Sequence, residues 1–171
     1  MLRFGMVDPF LQISATGNRV SITTPEGTTK ITADDPLDVL RQQLAAVRAA
    51  HLDELPPFTG GAVGYAGYDV VRYTEQLPHA PPNDRGLPDL SFAFYDRMII
   101  FDNVTKTMTL VMMARVTPDR SQWRSSYDTA CRRLDQTVQQ LSSSQTELLP
   151  TDIDVSGSSR IAYRSNFKQS E

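Results

Sequence analysis

A glycine- and tyrosine-rich segment at residues 58–69 is the first place where residue types and spacing could bind a ligand. It reads Phe-Thr-Gly-Gly-Ala-Val-Gly-Tyr-Ala-Gly-Tyr-Asp. A dinucleotide-binding fingerprint needs Gly-x-Gly-x-x-Gly between a strand and a helix, and a P-loop needs Gly-Lys followed by Ser or Thr. The segment has neither pattern, and small residues also let a backbone pass close to packed side chains. We therefore expect packing glycines, and the alternative is direct ligand contact by Gly60, Gly61, Gly64, Tyr65 and Tyr68.

Charged side chains follow the glycines at regular spacing. Asp69, Arg72 and Glu75 are three residues apart, which would align them on one face of a helix. Acids and a base on one helix face pair with each other or with water. We expect a salt-bridged or solvated face here, with no role in catalysis.

The two histidines and the single cysteine indicate neither a catalytic nucleophile nor a metal site. His51 is expected at the end of a helix, where a cation suits the dipole, and His79 lies among prolines. Neither has a Ser or Cys partner close in sequence, so a catalytic triad has no support. Cys131 falls on an apolar helical stripe and is expected in the core. The sequence predicts no catalytic residue and no metal ligand.

Composition excludes several classes of protein. The 171 residues carry 17 Lys and Arg against 20 Asp and Glu, a net charge of −3 without a basic stripe, which argues against nucleic-acid binding. The apolar runs are too short to span a membrane. One cysteine and two histidines form neither an internal disulfide nor a zinc set. We expect a soluble, cytoplasmic chain with no cofactor of its own.

The secondary-structure elements that position these residues are predicted to form a mixed α+β domain with a largely antiparallel sheet. Short strands at 10–15, 19–23 and 28–32 form a meander, with glycine and asparagine in its first turn. Strands at 90–102 and 107–116 have the densest apolar content and are expected to form a central antiparallel hairpin.

Two principal helices complete the predicted domain. One is expected at 36–50, because Asp35 can cap it, Pro36 suits its first position, and leucines recur on one face. The other is expected at 118–141, where apolar residues step by three and four from Trp123 to Leu141. We divide the chain into a domain at 1–141, a Ser/Thr-rich linker at 142–160 and the start of a second domain at 161–171.

Several motifs, in order along the chain, resemble the N-terminal domain of anthranilate synthase component I, a chorismate-utilising enzyme. The run at 57–78, Pro-Phe-Thr-Gly-Gly-Ala-Val-Gly-Tyr-Ala-Gly-Tyr-Asp-Val-Val-Arg-Tyr-Thr-Glu-Gln-Leu-Pro, is the most specific of them. Leu-Pro-Asp at 87–89, Phe-Tyr-Asp at 94–96 and Ile-Ile-Phe-Asp-Asn-Val at 99–104 follow. Ser-Asn-Phe at 165–167 resembles the opening of the family's C-terminal chorismate-binding domain. By this resemblance the chain is truncated at both ends.

The resemblance implies a reaction carried out by the whole enzyme. Ammonia from a glutamine amidotransferase subunit, component II, adds to chorismate with loss of the hydroxyl, and pyruvate leaves to give anthranilate for tryptophan biosynthesis. Mg²⁺ and the C-terminal domain serve that chemistry, so we expect this chain to be an inactive scaffold and regulatory portion. The family's tryptophan pocket uses an earlier Leu-Leu-Glu-Ser segment, and we expect no useful tryptophan affinity here.

Two alternatives remain open at this point. One is the corresponding domain of aminodeoxychorismate synthase component I, from folate synthesis, which shares the glycine-tyrosine run. The other is a stand-alone binding module without catalysis. The second alternative requires the chain to fold alone despite apolar helix faces that would pack against another domain.

Overall fold

The computed structural model describes residues 2–6, 8–80 and 82–143, and these form eight strands, two α-helices and two short 3₁₀ helices. The strands are β1 (Leu2–Met6), β2 (Leu11–Thr16), β3 (Arg19–Thr24), β4 (Gly27–Thr32), β5 (Gly61–Ala66), β6 (Leu90–Tyr95), β7 (Arg97–Asp102) and β8 (Thr107–Met112). The helices are α1 (Pro36–Ala45) and α2 (Trp123–Ser143), with 3₁₀ turns at Tyr68–Tyr73 and Arg120–Gln122. The expected linker at 142–160 lies outside the described residues beyond Ser143, as does the expected domain start at 161–171.

The strands form two antiparallel sheets. One has five strands in the order β4-β3-β2-β6-β5, and the other has three in the order β1-β7-β8. Each sheet has its own apolar cluster, one centred on Ile13 and Leu90 and the other on Met98 and Ile100. The predicted mixed α+β class with antiparallel pairing is confirmed.

The predicted meander is β2, β3 and β4. Leu11, Ile13 and Ala15 are buried while the residues between them are less so, as period-2 side-chain alternation requires. Gly17 has a φ of +56° in the β2–β3 turn, a conformation that costs glycine little. β4 lies at the edge of the sheet and is exposed along its whole length. No local pattern indicated β1, which pairs antiparallel with β7, from Leu2 opposite Asp102 to Met6 opposite Met98.

The predicted hairpin over 90–116 is wrong in one respect. Its first strand is two strands, because the chain leaves the five-stranded sheet after β6 and enters the three-stranded sheet as β7. The change occurs at Asp96, whose carbonyl accepts a hydrogen bond from the Met113 N–H at 2.8 Å. Within residues 90–116, β7 and β8 form the hairpin, and β6 lies instead between β2 and β5.

Both helices differ in extent from their predicted bounds. The Asp35 side chain accepts the Leu37 N–H at 2.9 Å and caps α1 as expected, but α1 ends at Ala45 instead of residue 50. Leu40 is buried, whereas Leu44 is 46% exposed, so the last turn has little to pack against. His51 consequently lies beyond the helix, and the predicted dipole role is wrong.

The second helix starts later than predicted. A 3₁₀ turn capped by Asp119 occupies the first positions, α2 begins at Trp123, and it continues to Ser143. Cys131, expected in the core, is half-buried. In the part of the chain that the structure describes, no helix combines the length and the apolar character needed to cross a membrane.

Candidate functional site

The glycine-tyrosine segment forms β5, the edge strand of the five-stranded sheet. It pairs antiparallel with β6 from Gly61 opposite Tyr95 to Ala66 opposite Leu90. The backbone N–H and C=O groups on one side of the segment are therefore already used in pairing with β6. The side chains of the segment lie mostly toward solvent, since Val63 to Gly67 are exposed.

Gly64 is the position where only glycine fits. A Cβ added there would lie 1.9 Å from the Ser91 carbonyl oxygen and 2.6 Å from the Phe92 Cα, both backbone atoms that cannot move without separating the strands. The packing around Gly60 is also tight, because a Cβ added there would lie 3.0 Å from the Tyr95 carbonyl oxygen. Gly61 has a φ of +125°, which L side chains rarely adopt. These three glycines have conformational and packing reasons to be present that require no ligand.

The two tyrosines of the segment have different environments. The Tyr65 hydroxyl donates a hydrogen bond to the Pro88 carbonyl at 3.1 Å, which ties β5 to the loop before β6. Tyr68 begins the 3₁₀ turn and is 86% exposed. Their ligand-contact role stays a prediction, and Tyr68 is the one with an uncommitted aromatic face.

Asp89 is the residue that joins the surrounding loops, and sequence reasoning assigned it no role. Its carboxylate oxygen Oδ2 accepts the Gly17 N–H at 2.7 Å and the Tyr73 hydroxyl at 3.0 Å. Its backbone accepts the Gly67 N–H at 2.7 Å and donates to the Ala15 carbonyl at 2.7 Å. Burial, followed by the hydrogen bond to Asp89, raises the pKa of Tyr73. The only sequence signal was the Leu-Pro-Asp motif within the family resemblance.

A second polar cluster lies where the chain passes from one sheet to the other. Asp96 is 8% exposed, and its Oδ2 accepts Arg133 Nη1 of α2 at 3.4 Å. Arg97 donates to Thr137 Oγ1 of α2 at 3.0 Å and forms an ion pair with Asp8. These contacts attach α2 to the sheet junction through charged and polar groups.

The predicted salt-bridged or solvated face behind the glycines is confirmed, because Asp69 and Arg72 pair and Glu75 is exposed. Asp69 and Arg72 form an ion pair at 2.7 Å within the 3₁₀ turn. Arg72 also donates to the Leu77 carbonyl at 2.6 Å. Glu75 lines a shallow, open depression beside Arg72 and Leu77.

A magnesium site does not fit the residues that the structure describes. They contain no group of three or more His, Cys, Asp or Glu side chains placed to hold a metal ion. His51 and His79 are both exposed. Asp69 and Arg72 pair with each other, and the Asp89 carboxylate binds the Gly17 N–H and the Tyr73 hydroxyl, so these groups serve ion pairing and packing.

Comparisons with known proteins agree with the resemblance. A family model described as chorismate binding enzyme matches residues 5–170. Anthranilate synthase alpha subunit 2, chloroplastic, of Arabidopsis thaliana is 34% identical over 150 residues, which cover 84% of this chain and 24% of that protein. Aminodeoxychorismate synthase component 1 of Escherichia coli is 38% identical over 113 residues, covering 64% of this chain and 24% of that one.

A solved structure is similar in fold. Anthranilate synthase component I from Streptococcus pneumoniae superposes with a TM-score of 0.64 at 26% identity, over 82% of this chain and 29% of that chain. The chain spans between 18% and 27% of the length of the first curated relatives that it matches, most of which are anthranilate synthase component 1. With a family model that matches nearly its whole length, the chain belongs to the chorismate binding enzyme family.

Proposed function

We propose that this chain is the N-terminal scaffold and regulatory portion of an anthranilate synthase component I in tryptophan biosynthesis. The complete enzyme would take chorismate and glutamine-derived ammonia and release anthranilate and pyruvate. The observation that carries the proposal is the glycine-tyrosine strand, in which Gly64 packs directly against the β6 backbone and the Tyr65 hydroxyl donates to the Pro88 carbonyl. A strand used in this way positions neighbouring elements, and we assign it no step of the reaction.

The same proposal places the catalytic groups and Mg²⁺ in the chorismate-binding portion of the enzyme, and it makes component II, the glutamine amidotransferase, the source of ammonia. Magnesium there would bind the carboxylates of chorismate and neutralise their charge while the ring reacts. We place the enzyme in the cytoplasm. The similarity to anthranilate synthases of bacteria and plants supports the tryptophan branch.

An assay for anthranilate tests the proposal. The purified chain is incubated with chorismate, MgCl₂ and either ammonium chloride or glutamine with component II, and anthranilate fluorescence is followed. We expect no signal above a chorismate-only blank, while component I from Streptococcus pneumoniae under the same conditions is the positive control. Turnover that scales with the concentration of this chain would show that catalytic groups lie within it.

A second candidate is the same portion of an aminodeoxychorismate synthase component I. It is favoured by the similarity to the Escherichia coli protein, whose 38% identity lies within the 30–44% range of the anthranilate synthases that this chain matches. The two candidates differ in where the amino group is added and in whether pyruvate leaves. Product analysis of the enzyme that contains this chain separates them: anthranilate and pyruvate support the first, and aminodeoxychorismate without pyruvate supports the second.

A further inference from the structure

The two sheets share one long antiparallel ribbon of two strands. β1 pairs with β7 in one sheet, and the next strand in the chain, β2, pairs with β6 in the other. The pairing ends at Met6 opposite Met98 and resumes at Leu11 opposite Phe94, so four residues (7–10) lie opposite three (95–97). One extra residue on one strand is the pattern of a β-bulge, which bends and twists the strand. The ribbon therefore bends at the point where it passes from one sheet to the other.

Asp8 lies on the longer side of this bend and forms a bond across it. Its backbone has a φ of +52°, in the left-handed region that Asp and Asn adopt more readily than other residues with a side chain. Its carboxylate forms an ion pair with Arg97, the first residue of β7 on the opposite strand. The Arg97 side chain is 13% exposed, so this bond lies mostly inside the bend.

The same arginine also binds helix α2. Arg97 Nη2 donates to Asp8, and Arg97 Nη1 donates to the Thr137 hydroxyl oxygen at 3.0 Å. Thr137 is the residue of α2 that is buried. A guanidinium is planar and rigid, so two bonds from one guanidinium fix the relative positions of their acceptors. Arg97 thereby fixes the bend of the ribbon and the position of α2 with respect to each other.

Apolar packing is separate on the two sides of the bend. One cluster of buried side chains includes Ile13 of the five-stranded sheet, the other includes Met98 of the three-stranded sheet, and no described buried residue belongs to both. Asp96, which is 8% exposed, lies between them in the chain. Leu55 and Phe58 reach the second cluster from the segment between α1 and β5, which has no helix or strand. A shared close-packed core would resist bending, whereas here polar groups occupy the bend.

We propose that the bulge at Asp8 is a hinge between the two sheets, and that Arg97 is the positioning residue that fixes its angle by binding Asp8 and Thr137 at once. Hinges are a few residues at the ends of elements that absorb a change in φ and ψ, and Asp8 lies between the ends of two strands. With Arg97 in place, the three-stranded sheet and α2 keep one orientation relative to the five-stranded sheet. This inference does not depend on which reaction the complete enzyme catalyses.

Arg72 provides a matched control for Arg97. It also donates to one aspartate and one uncharged oxygen, which are Asp69 and the Leu77 carbonyl. The partners of Arg72 are 3 and 5 positions away in the chain, whereas those of Arg97 are 89 and 40 positions away. Arg72→Met therefore removes the same kinds of bond from within one segment, and Arg97→Met removes them from between the elements that the hinge joins.

The test measures the distance between the two sheets. Spin labels are attached at Glu26→Cys in the β3–β4 turn and at Val104→Cys in the β7–β8 turn, both exposed, in a chain whose only native thiol is removed by Cys131→Ser. Pulsed electron paramagnetic resonance then gives the distribution of distances between the labels. We expect one narrow distribution in this parent chain, a distribution at least about twice as wide with Arg97→Met, and an unchanged width with Arg72→Met. Circular dichroism checks that each variant keeps its strands and helices.

A milder pair of variants decides the question if Arg97→Met does not fold. Asp8→Asn keeps the size of the side chain and its tolerance of a left-handed backbone but removes the charge, and Asp69→Asn does the same to the control pair. We expect Asp8→Asn to widen the distribution, by less than Arg97→Met, and Asp69→Asn to leave it unchanged. Equal widths in the two members of either pair would overturn the proposal. A parent distribution as wide as that of Arg97→Met would overturn it as well, because Arg97 would then not fix the angle.

Discussion

The carboxylate of Asp89 accepts the backbone N–H of Gly17 at 2.7 Å, although the two residues are 72 positions apart. The same oxygen accepts the hydroxyl of Tyr73 at 3.0 Å. One side chain thus joins the β2–β3 turn, the loop before β6 and the 3₁₀ turn after β5. Because the site has some solvent exposure, each bond contributes less than it would if it were fully buried.

Replacing Asp89 should therefore loosen three segments at once. We expect Asp89→Ala to lower the free energy of unfolding by about 2 kcal/mol and Tyr73→Phe by about 1 kcal/mol, the usual range for such hydrogen bonds. Urea denaturation followed by circular dichroism measures both. The double variant should cost less than the sum of the two single changes, since the residues share one bond. Strict additivity would mean that the Tyr73 contact does not stabilise the fold.

The raised pKa of Tyr73 predicts a loss of stability in alkali. Burial and the hydrogen bond to Asp89 keep the hydroxyl protonated in the folded chain above the ordinary value of 10.0. Above about pH 10 the folded state therefore binds more protons than the unfolded state. The stability that the protonated Tyr73 hydroxyl contributes is complete below that pH and declines above it. Urea midpoints measured from about pH 8 to about pH 11 should fall. Tyr73→Phe should show a shallower fall, and an identical pH profile in the two proteins would contradict the assignment.

Gly64 and Gly5 form a matched pair for testing close packing between strands. Gly64→Ala would place its Cβ 1.9 Å from the Ser91 carbonyl oxygen, and we expect it to destabilise the chain by about 1–3 kcal/mol or more. Gly5→Ala in β1 meets Ile99 at an ordinary 3.7 Å and should change stability by less than about 1 kcal/mol, in the stabilising direction. Thermal denaturation of both variants gives the comparison. Similar melting temperatures would show that β5 can shift away from β6.

Local signals in the sequence predicted much of the fold. The cap at Asp35 and Pro36, the turn at Gly17 and the alternation in β2 depend on neighbouring residues, and each occurs where expected. The break between β6 and β7 could not be predicted from the alternation of apolar residues. Even-numbered residues are buried on both sides of the break, so the pattern continues through it. Only Asp96, polar at an inward position, marks the change of sheet. The early end of α1 depends on what packs against Leu44, which no local pattern encodes.

The candidate site was less predictable for a related reason. Glycine spacing drew attention to residues 60–68, and the structure gives Gly64 a role that depends on the close approach of Phe92 from another strand. Asp89 carries four hydrogen bonds to distant segments, and its sequence neighbourhood of Leu, Pro and Asp does not indicate them. Residues whose partners are far apart in the chain require the tertiary structure.

Tryptophan should not bind the isolated chain in the micromolar range. A free amino acid brings an ammonium and a carboxylate, and each charge-assisted hydrogen bond that a site fails to supply forfeits about 1.5–3 kcal/mol. Near the β5 strand, Asp69 is already paired with Arg72, and Asp89 already holds Gly17 and Tyr73. Two or three missing bonds change a micromolar site into one weaker than millimolar.

Calorimetry and ligand-observed NMR with millimolar L-tryptophan measure this affinity, and D-tryptophan is the matched control for nonspecific contact with the exposed ring of Tyr68. We expect equally weak signals from the two enantiomers, because stacking on an exposed ring does not distinguish them. Saturable binding of L-tryptophan alone at micromolar concentration would show that residues 60–68 and their neighbours form a complete amino-acid pocket. Tyr68→Ala would then locate it, since that substitution removes the more exposed of the two tyrosine rings, at 86% against 45% for Tyr65.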